Sequence, residues 1–298
     1  MVSILIPTYN YSIVNLVNTL QKQISKASFP FEIIVIDDNS NDELILAQNK
    51  SIDSFNNCQY IENTINLGRT ANRDLLAKRA KYNWLLFMDA DVLPKSNDFI
   101  KSFQLNDFDF ELIFGGICYK NEKPKSNEIF RWKYGKSRES ISLKQRQQKP
   151  YLSINSGCFL IKKELFLTIN KEINIQKYGM DILFKQVLKK KQIRVLHIDN
   201  PVIHLGLESS QAFLKKSLEA IETTVFLEEK HNLNIDVSSL QKSYSMLKKL
   251  KMLGIFSFII KKQKIYLEKN FNSTNPNLFF FDLYRLNYYI ELKNKKSA

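Results

Sequence analysis

The chain of 298 residues holds only three cysteines, Cys58, Cys118 and Cys158, odd in number and widely spaced. They match neither a disulfide framework nor a CxxC metal knuckle, and are expected to be reduced packing residues. Glycine and proline are scarce, at 8 and 7 residues, which argues against long flexible linkers. No segment repeats at a fixed period. The longest apolar stretches, such as MLGIFSFII from Met252 to Ile260, fall far short of the roughly 20 residues of a membrane-crossing helix. Met1 leads straight into the strand-like VSILIP, with no basic n-region, apolar h-region or cleavage site, so the expected compartment is the cytoplasm. No glycine occurs before Gly68, so the turn after the first strand, PTYN, lacks the GxGxxG fingerprint of dinucleotide binding. The P-loop pattern GxxxxGK[ST] is absent too, which removes the commonest ATPase design. With three histidines, His197, His204 and His231, no His-rich zinc site competes for attention.

What is present is a hydrophobic content of 44%, enough for a sizeable core and about one or two domains. The formal charge of +14 is unevenly placed. Lys120 to Lys149 carries ten basic against three acidic residues, and Val237 to Ala298 carries twelve against three, leaving the rest nearly neutral. Clustered positive charge implies anionic partners such as phosphates, nucleic acid or a membrane surface, or else a solvated lysine-rich face.

Strand-like and helix-like segments alternate through the first half. VSILIP (Val2 to Pro7) reads as a strand, Ile13 to Ile24 as a helix, and FEIIVIDDNS (Phe31 to Ser40) as a second strand ending in acids. Asp42 to Phe55 is expected to be helical, Gln59 to Thr64 a short strand, and Arg69 to Tyr82 a helix. This is the βαβ rhythm of a parallel sheet. The next strand, in LLFMDADVLP (Leu85 to Pro94), runs four apolar residues into Asp89 and Asp91. A strand buried on both faces reads as such a run, and ligands in open α/β sheets bind just beyond the carboxyl ends of the strands. Two carboxylates so close are most stable beside a cation, and hard ions such as Mg²⁺ and Mn²⁺ take oxygen ligands. The alternative is a solvated turn, since aspartate is a common turn former.

The motifs VSILIPTYN, VIDDNSND, NLGRTANRD and LLFMDADVLP, followed by NSGCFLIKKELF and YGMDILFKQVLKKKQIRVLHIDNPVIHLG, resemble in order and spacing the inverting nucleotide-sugar glycosyltransferases of family 2. The match spans roughly Val2 to Leu207. It implies the GT-A fold, a Rossmann-like, mostly parallel central α/β sheet flanked by helices, here with a C-terminal helical extension. It also implies a division into a transferase domain, 1–207, and a basic, aromatic extension, 208–298.

By the same resemblance, Pro7 and Tyr9 of the first motif and Asp37 and Asp38 after the second strand contact the nucleotide. Asp38 would accept a hydrogen bond from the ring N–H of the base, which fits uracil or thymine and does not exclude guanine. From its position alone, Asp38 is also able to cap the following helix. Asn66, Gly68, Arg69 and Asn72 match the segment lying along the nucleotide, with Arg69 or Arg73 directed to phosphate oxygens. Asp89 and Asp91 match the DxD motif: Asp91 ligates a Mn²⁺ or Mg²⁺ ion that bridges the diphosphate, and Asp89 reaches the ribose or a metal-bound water. His204 matches an additional metal ligand of some relatives, although the residues without the resemblance favour a satisfied histidine at a strand end. Asn155, Ser156 and Gly157 match positions that contact the donor sugar or the acceptor.

Asp181 matches the catalytic base. The acid that usually precedes it is replaced by Met180, which removes whatever acceptor contact that acid makes and leaves proton transfer to Asp181. The bland reading of Asp181 is a helix N-terminal aspartate. Arg131, Trp132, Lys133, Tyr134 and Arg138, in EIFRWKYGKSRES, suit sugar faces and phosphates but also suit a solvated loop.

Ser209 to Lys230 reads as an amphipathic helix. Beyond it, lysines mix with Phe256, Phe258, Phe279 to Phe281, Tyr288 and Tyr289, the composition of a helical subdomain or of an interfacial segment on anionic lipid. The expected partners are therefore a nucleoside-diphosphate sugar, a glycan or lipid-linked glycan acceptor and an anionic membrane surface on the inner face of the cell membrane. A sugar-nucleotide nucleotidyltransferase would call for a glycine-rich loop where PTYN stands. A nucleic-acid-binding protein leaves the carboxylates unexplained, and no nucleic acid is expected.

Overall fold

The computed structural model describes residues 1–25, 29–103, 109–151, 153–173, 179, 181–231 and 238–297. The chain begins with β1 (Val2–Thr8), α1 (Val14–Ile24), β2 (Phe31–Asp37), α2 (Glu43–Lys50), β3 (Cys58–Glu62), α3 (Arg69–Arg79), β4 (Trp84–Met88) and β5 (Val92–Pro94). It continues through β6 (Leu112–Phe114), β7 (Ile117–Cys118), α4 (Ile129–Tyr134), α5 (Leu143–Gln148), β8 (Cys158–Lys162), α6 (Lys163–Glu172), α7 (Asp181–Lys190), β9 (Val195–His197) and β10 (Val202–His204). Among the described residues five helices follow: α8 (Ser210–His231), α9 (Ser239–Lys249), α10 (Leu253–Lys262), α11 (Lys264–Phe271) and α12 (Leu278–Ser297). Two compact units result, one of Met1–Lys120, Glu139–Gln176 and Val187–Gly206, the other of Asn121–Arg138, Lys177–Gln186 and Leu207–Ala298.

The first unit is built on a seven-stranded sheet in the order β3-β2-β1-β4-β8-β6-β9. β3, β2, β1 and β4 run parallel, β8 is antiparallel to both β4 and β6, and β9 is parallel to β6. Ile4, Leu5 and Ile6 are all buried, as are Leu85 to Met88, because layers on both faces cover a central parallel strand. A second sheet, β5-β10-β7, pairs β10 antiparallel to β5 with His204 opposite Val92. The three cysteines are free thiols.

The helix expected over Asp42 to Phe55 is shorter. Asp42 caps it by accepting from the Leu44 and Ile45 N–H groups, and it gives way at Ser51 to one 3₁₀ turn. There the Ser51 hydroxyl donates to the Gln48 carbonyl and Asp53 accepts from the Tyr60 N–H, local bonds that compete with the helical ladder.

The second unit is helical. Its core is a cluster of rings in which Phe130 stacks on Phe271 at 5.2 Å and meets Phe213 and Phe281 edge-on. Phe130 belongs to α4, so part of the first basic zone folds with the C-terminal helices. Arg138 and Lys133 tie it further, to Asp282 at 2.7 Å and to Asn275 at 2.7 Å. Helix α12 packs against α8, α9, α10 and α11. No helix among the described residues is long and apolar enough to cross a membrane.

Candidate active site

β4 delivers its two aspartates to the carboxyl edge of the sheet. There the Asp89 N–H donates to the Gly157 carbonyl at 2.8 Å, so the Asn155–Ser156–Gly157 turn lies against the DxD segment. A Cβ at Gly157 would sit 3.1 Å from Asn155 Oδ1, which already accepts from the Gly157 N–H. The Asp89 carboxylate is gripped on both sides. Arg69 Nη2 donates to Oδ2 and Arg73 Nη2 to Oδ1, each at 2.5 Å. The same Arg73 nitrogen donates to the Ser156 carbonyl at 2.6 Å, and its guanidinium lies 5.5 Å from the Phe87 ring and 5.8 Å from that of Phe159. Burial alone would raise the Asp89 carboxyl, but the two guanidiniums outweigh it and hold it below its ordinary range.

Asp91 has a different neighbour. Its Oδ2 lies 3.4 Å from His204 Nε2, and the Leu205 N–H donates to its carbonyl at 2.8 Å. Burial raises its carboxyl above the ordinary value, with His204 pulling against that rise. A Cβ on Gly206 would fall 1.9 Å from Asp91 Oδ2, so only glycine leaves the carboxylate where it is. The Tyr119 ring backs His204 at 5.4 Å and donates its hydroxyl to Glu139. Among the described residues, no group of three His, Cys, Asp or Glu side chains converges as a metal cage. One carboxylate oxygen beside one imidazole nitrogen still fits a divalent ion of the kind held by few protein ligands plus substrate phosphates.

On the neighbouring strand, Asp37 is consumed by structure: Ser40 donates to it through both N–H and hydroxyl, at 2.6 and 2.8 Å. Asp38 does not cap α2, the role Asp42 takes. Its Oδ1 accepts from Asn63 Nδ2 at 3.0 Å and the Leu67 N–H at 2.9 Å, and its Oδ2 accepts from the Gly68 N–H at 2.8 Å. Asp38 thereby ties the end of β2 to the loop that opens α3. Gly68 has φ of +82°, and Asn66 also accepts from its N–H. Asn72 is buried and donates to the Ile36 carbonyl at 3.1 Å, fastening α3 to β2. Pro7 is half-buried at the end of β1, and Tyr9 just beyond it is exposed.

Asp181 opens α7 in the second unit, where Ile182 N–H donates to the Gly179 carbonyl. On this helix Leu183, Val187 and Leu188 are buried. Tyr178 and Met180 lie outside the described residues. Sequence reasoning did not single out Gly206 or Tyr119; a glycine two residues past a candidate ligand was the available signal for the first, and nothing local marked the second.

Residues 3–169 match the family described as Glycosyl transferase family 2, more than half of the chain, and the protein belongs to that family. An uncharacterised glycosyltransferase of Haemophilus influenzae is 33% identical over 91 residues, so the match spans 30% of this chain and 29% of that protein. Among solved structures, the mannosyltransferase PcManGT from Pyrobaculum calidifontis, in complex with GDP-Man and Mn²⁺, superimposes with a TM-score of 0.58 at 12% identity, covering 100% of this chain and 87% of that one. Mannosyl-3-phosphoglycerate synthase from Rubrobacter xylanophilus gives 0.53 at 14% identity, covering 78% and 76%. Glucosyl-3-phosphoglycerate synthase from Mycobacterium tuberculosis, in complex with Mg²⁺ and UDP, gives 0.50 at 13%, covering 76% and 78%. At these identities the likeness is one of fold, and the fold is GT-A.

Proposed function

We propose that the protein is a metal-dependent inverting glycosyltransferase. It moves a sugar from a nucleoside-diphosphate donor, UDP-linked in the first instance, to a hydroxyl of a glycan or lipid-linked glycan in cell-surface polysaccharide assembly. It works in the cytoplasm, at the inner face of the cell membrane. The observation that carries this reading is the Asp91–His204 pair, 3.4 Å apart, set beside an Asp89 that two arginines hold ionised. The reading is in keeping with the ligands of the structural neighbours, GDP-Man with Mn²⁺ in one and UDP with Mg²⁺ in another.

In this mechanism Asp91 and His204 would hold the ion, and Asp89, oriented by Arg69 and Arg73, would face the ribose side. A bound Mn²⁺ or Mg²⁺ offsets the negative charge that grows on the departing nucleoside diphosphate. Asp38 carries the base contact through the lone pair that Gly68 leaves on Oδ2, while the Asn155–Gly157 turn borders the sugar. Asp181 takes the proton from the acceptor hydroxyl as its oxygen bonds to the anomeric carbon and the bond from that carbon to the phosphate oxygen breaks. One in-line displacement inverts the anomeric centre and needs no covalent intermediate.

The test is a screen of UDP- and GDP-linked sugars that reads release of free nucleoside diphosphate with and without Mn²⁺. Release of one diphosphate only when the ion is present supports the proposal. Equal release in the presence of a chelator overturns the metal's role, and no release from any of these donors overturns the choice of a UDP- or GDP-linked sugar.

A further inference from the structure

The second unit has a surface to which the sugar-transfer reading assigns no residue. Of thirteen exposed large apolar side chains among the described residues, nine fall within residues 246–279. Helix α10 carries Ile255, Phe258 and Ile259 on one face, at the i, i+3, i+4 spacing that aligns side chains along a helix, and the first two are each 60% exposed. Its other face is satisfied, since Phe256 and Ile260 pack into the aromatic core with Phe271 and Phe281. Helix α11 adds exposed Ile265 and Tyr266, and the start of α12 adds Phe279. Single apolar residues on a surface need no explanation, but a concentration of them marks an area that a partner covers.

Charge identifies the partner. Residues 246–279 contain seven lysines and a single acid, Glu268. Lys262 Nζ lies 4.6 Å from the centre of the Phe258 ring, so positive charge and apolar surface alternate within one side chain's reach. An anionic bilayer offers the complement at every point, with phosphates for the ammonium groups and acyl chains just beneath for the rings and branched chains. At ten residues α10 is about 15 Å long, half a hydrocarbon core, so it suits lying in the interface and not crossing it.

We propose that the face made by α10, α11 and the start of α12 docks on an anionic phospholipid surface. Ile255, Phe258 and Ile259 enter the headgroup boundary and the lysines engage lipid phosphates. This proposal stands apart from the sugar-transfer reading, since its test involves no turnover.

The test is cosedimentation of the full chain with phosphatidylcholine vesicles, with and without phosphatidylglycerol. The protein pellets with the anionic vesicles only. Binding weakens about fivefold for each of Lys262, Lys264 and Lys269, exposed lysines of α10 and α11, changed to glutamine, the equivalent of about 1 kcal/mol per basic residue near such a surface. Phe258→Ser with Ile259→Ser weakens it by about tenfold or more, because two buried hydrocarbon side chains are lost from the interface. Both positions are exposed, so the fold withstands the change. Phe258→Trp gives a second readout, a blue shift of the added indole emission, relative to wild type, on anionic vesicles. A wild-type protein that stays in the supernatant, serine variants that pellet as well as wild type, or an unshifted emission from the Phe258→Trp variant would each overturn the proposal. A wild-type dimer that the serine variant converts to monomer, without vesicle binding, would assign the face to a second copy instead.

Discussion

Arg73 and Asp89 form an ion pair of 2.5 Å at the carboxyl end of the central strand, and the same arginine nitrogen holds the Ser156 carbonyl at 2.6 Å. Arg73 side-chain exposure is 8%, whereas Arg69, on the other carboxylate oxygen, is 51% exposed. Solvent screens an exposed pair and leaves it worth little, while removing one partner of a buried pair strands the other charge. Arg73→Met should therefore cost about 3 kcal/mol of stability, against about 1 kcal/mol or less for Arg69→Met. Urea denaturation of the two variants checks this, and equal losses would show that Arg73 is not the residue that seats Asp89.

Asp91 and His204 make the second prediction. Asp91→Asn should weaken Mn²⁺-dependent binding of UDP by about 10² or more, since even residues behind direct ligands are worth about 10- to 100-fold. Gly206→Ala should act in the same direction with every ligand residue unchanged, because its Cβ would displace the Asp91 carboxylate. Calorimetry of UDP with and without Mn²⁺ gives both numbers. Metal-independent binding of equal strength in wild type and variants would remove Asp91 from the ion.

The base assignment separates binding from chemistry. Asp181→Asn keeps size and most hydrogen bonding but loses the basic lone pair, so turnover should fall by about 10² or more while donor affinity stays near wild type. Paired measurements of donor binding and steady-state transfer decide it. Lost donor affinity would move Asp181 to the nucleotide, and normal turnover would move the base elsewhere.

Acid sensitivity should reside partly in His197, buried on β9 with Nε2 2.9 Å from the Pro150 carbonyl oxygen. Burial foremost, with Arg146 nearby, pushes its imidazole below the ordinary value of about 6.5, against the raising effect of that hydrogen bond. The unfolded chain then takes up a proton that the fold resists, so stability is full above about pH 6.5 and is lost as pH falls toward the folded value. Melting temperature should drop from pH 7 to pH 5, and His197→Gln should flatten that drop. An unchanged slope would place the acid sensitivity in other groups.

Much of this protein was legible residue by residue. Val2 to Thr8, Phe31 to Asp37 and Trp84 to Met88 announce buried strands because a strand covered on both faces must be apolar throughout, and the aspartates stand out because they end such runs. The family motifs likewise lie within short continuous stretches. Other features were settled only when the chain closed. His204 meets Asp91 because β10 pairs with β5 in a register that no local pattern encodes across 112 intervening residues. Asp38 turned out to bind the loop before α3, since its donors, Asn63, Leu67 and Gly68, come from beyond the next strand. Phe130, in a stretch that reads as a basic loop, became the centre of an aromatic core shared with Phe271 and Phe281. Local propensity and hydrophobic period are properties of neighbouring residues, whereas register, ion pairing and ring packing join residues far apart in the chain and depend on the whole fold being in place.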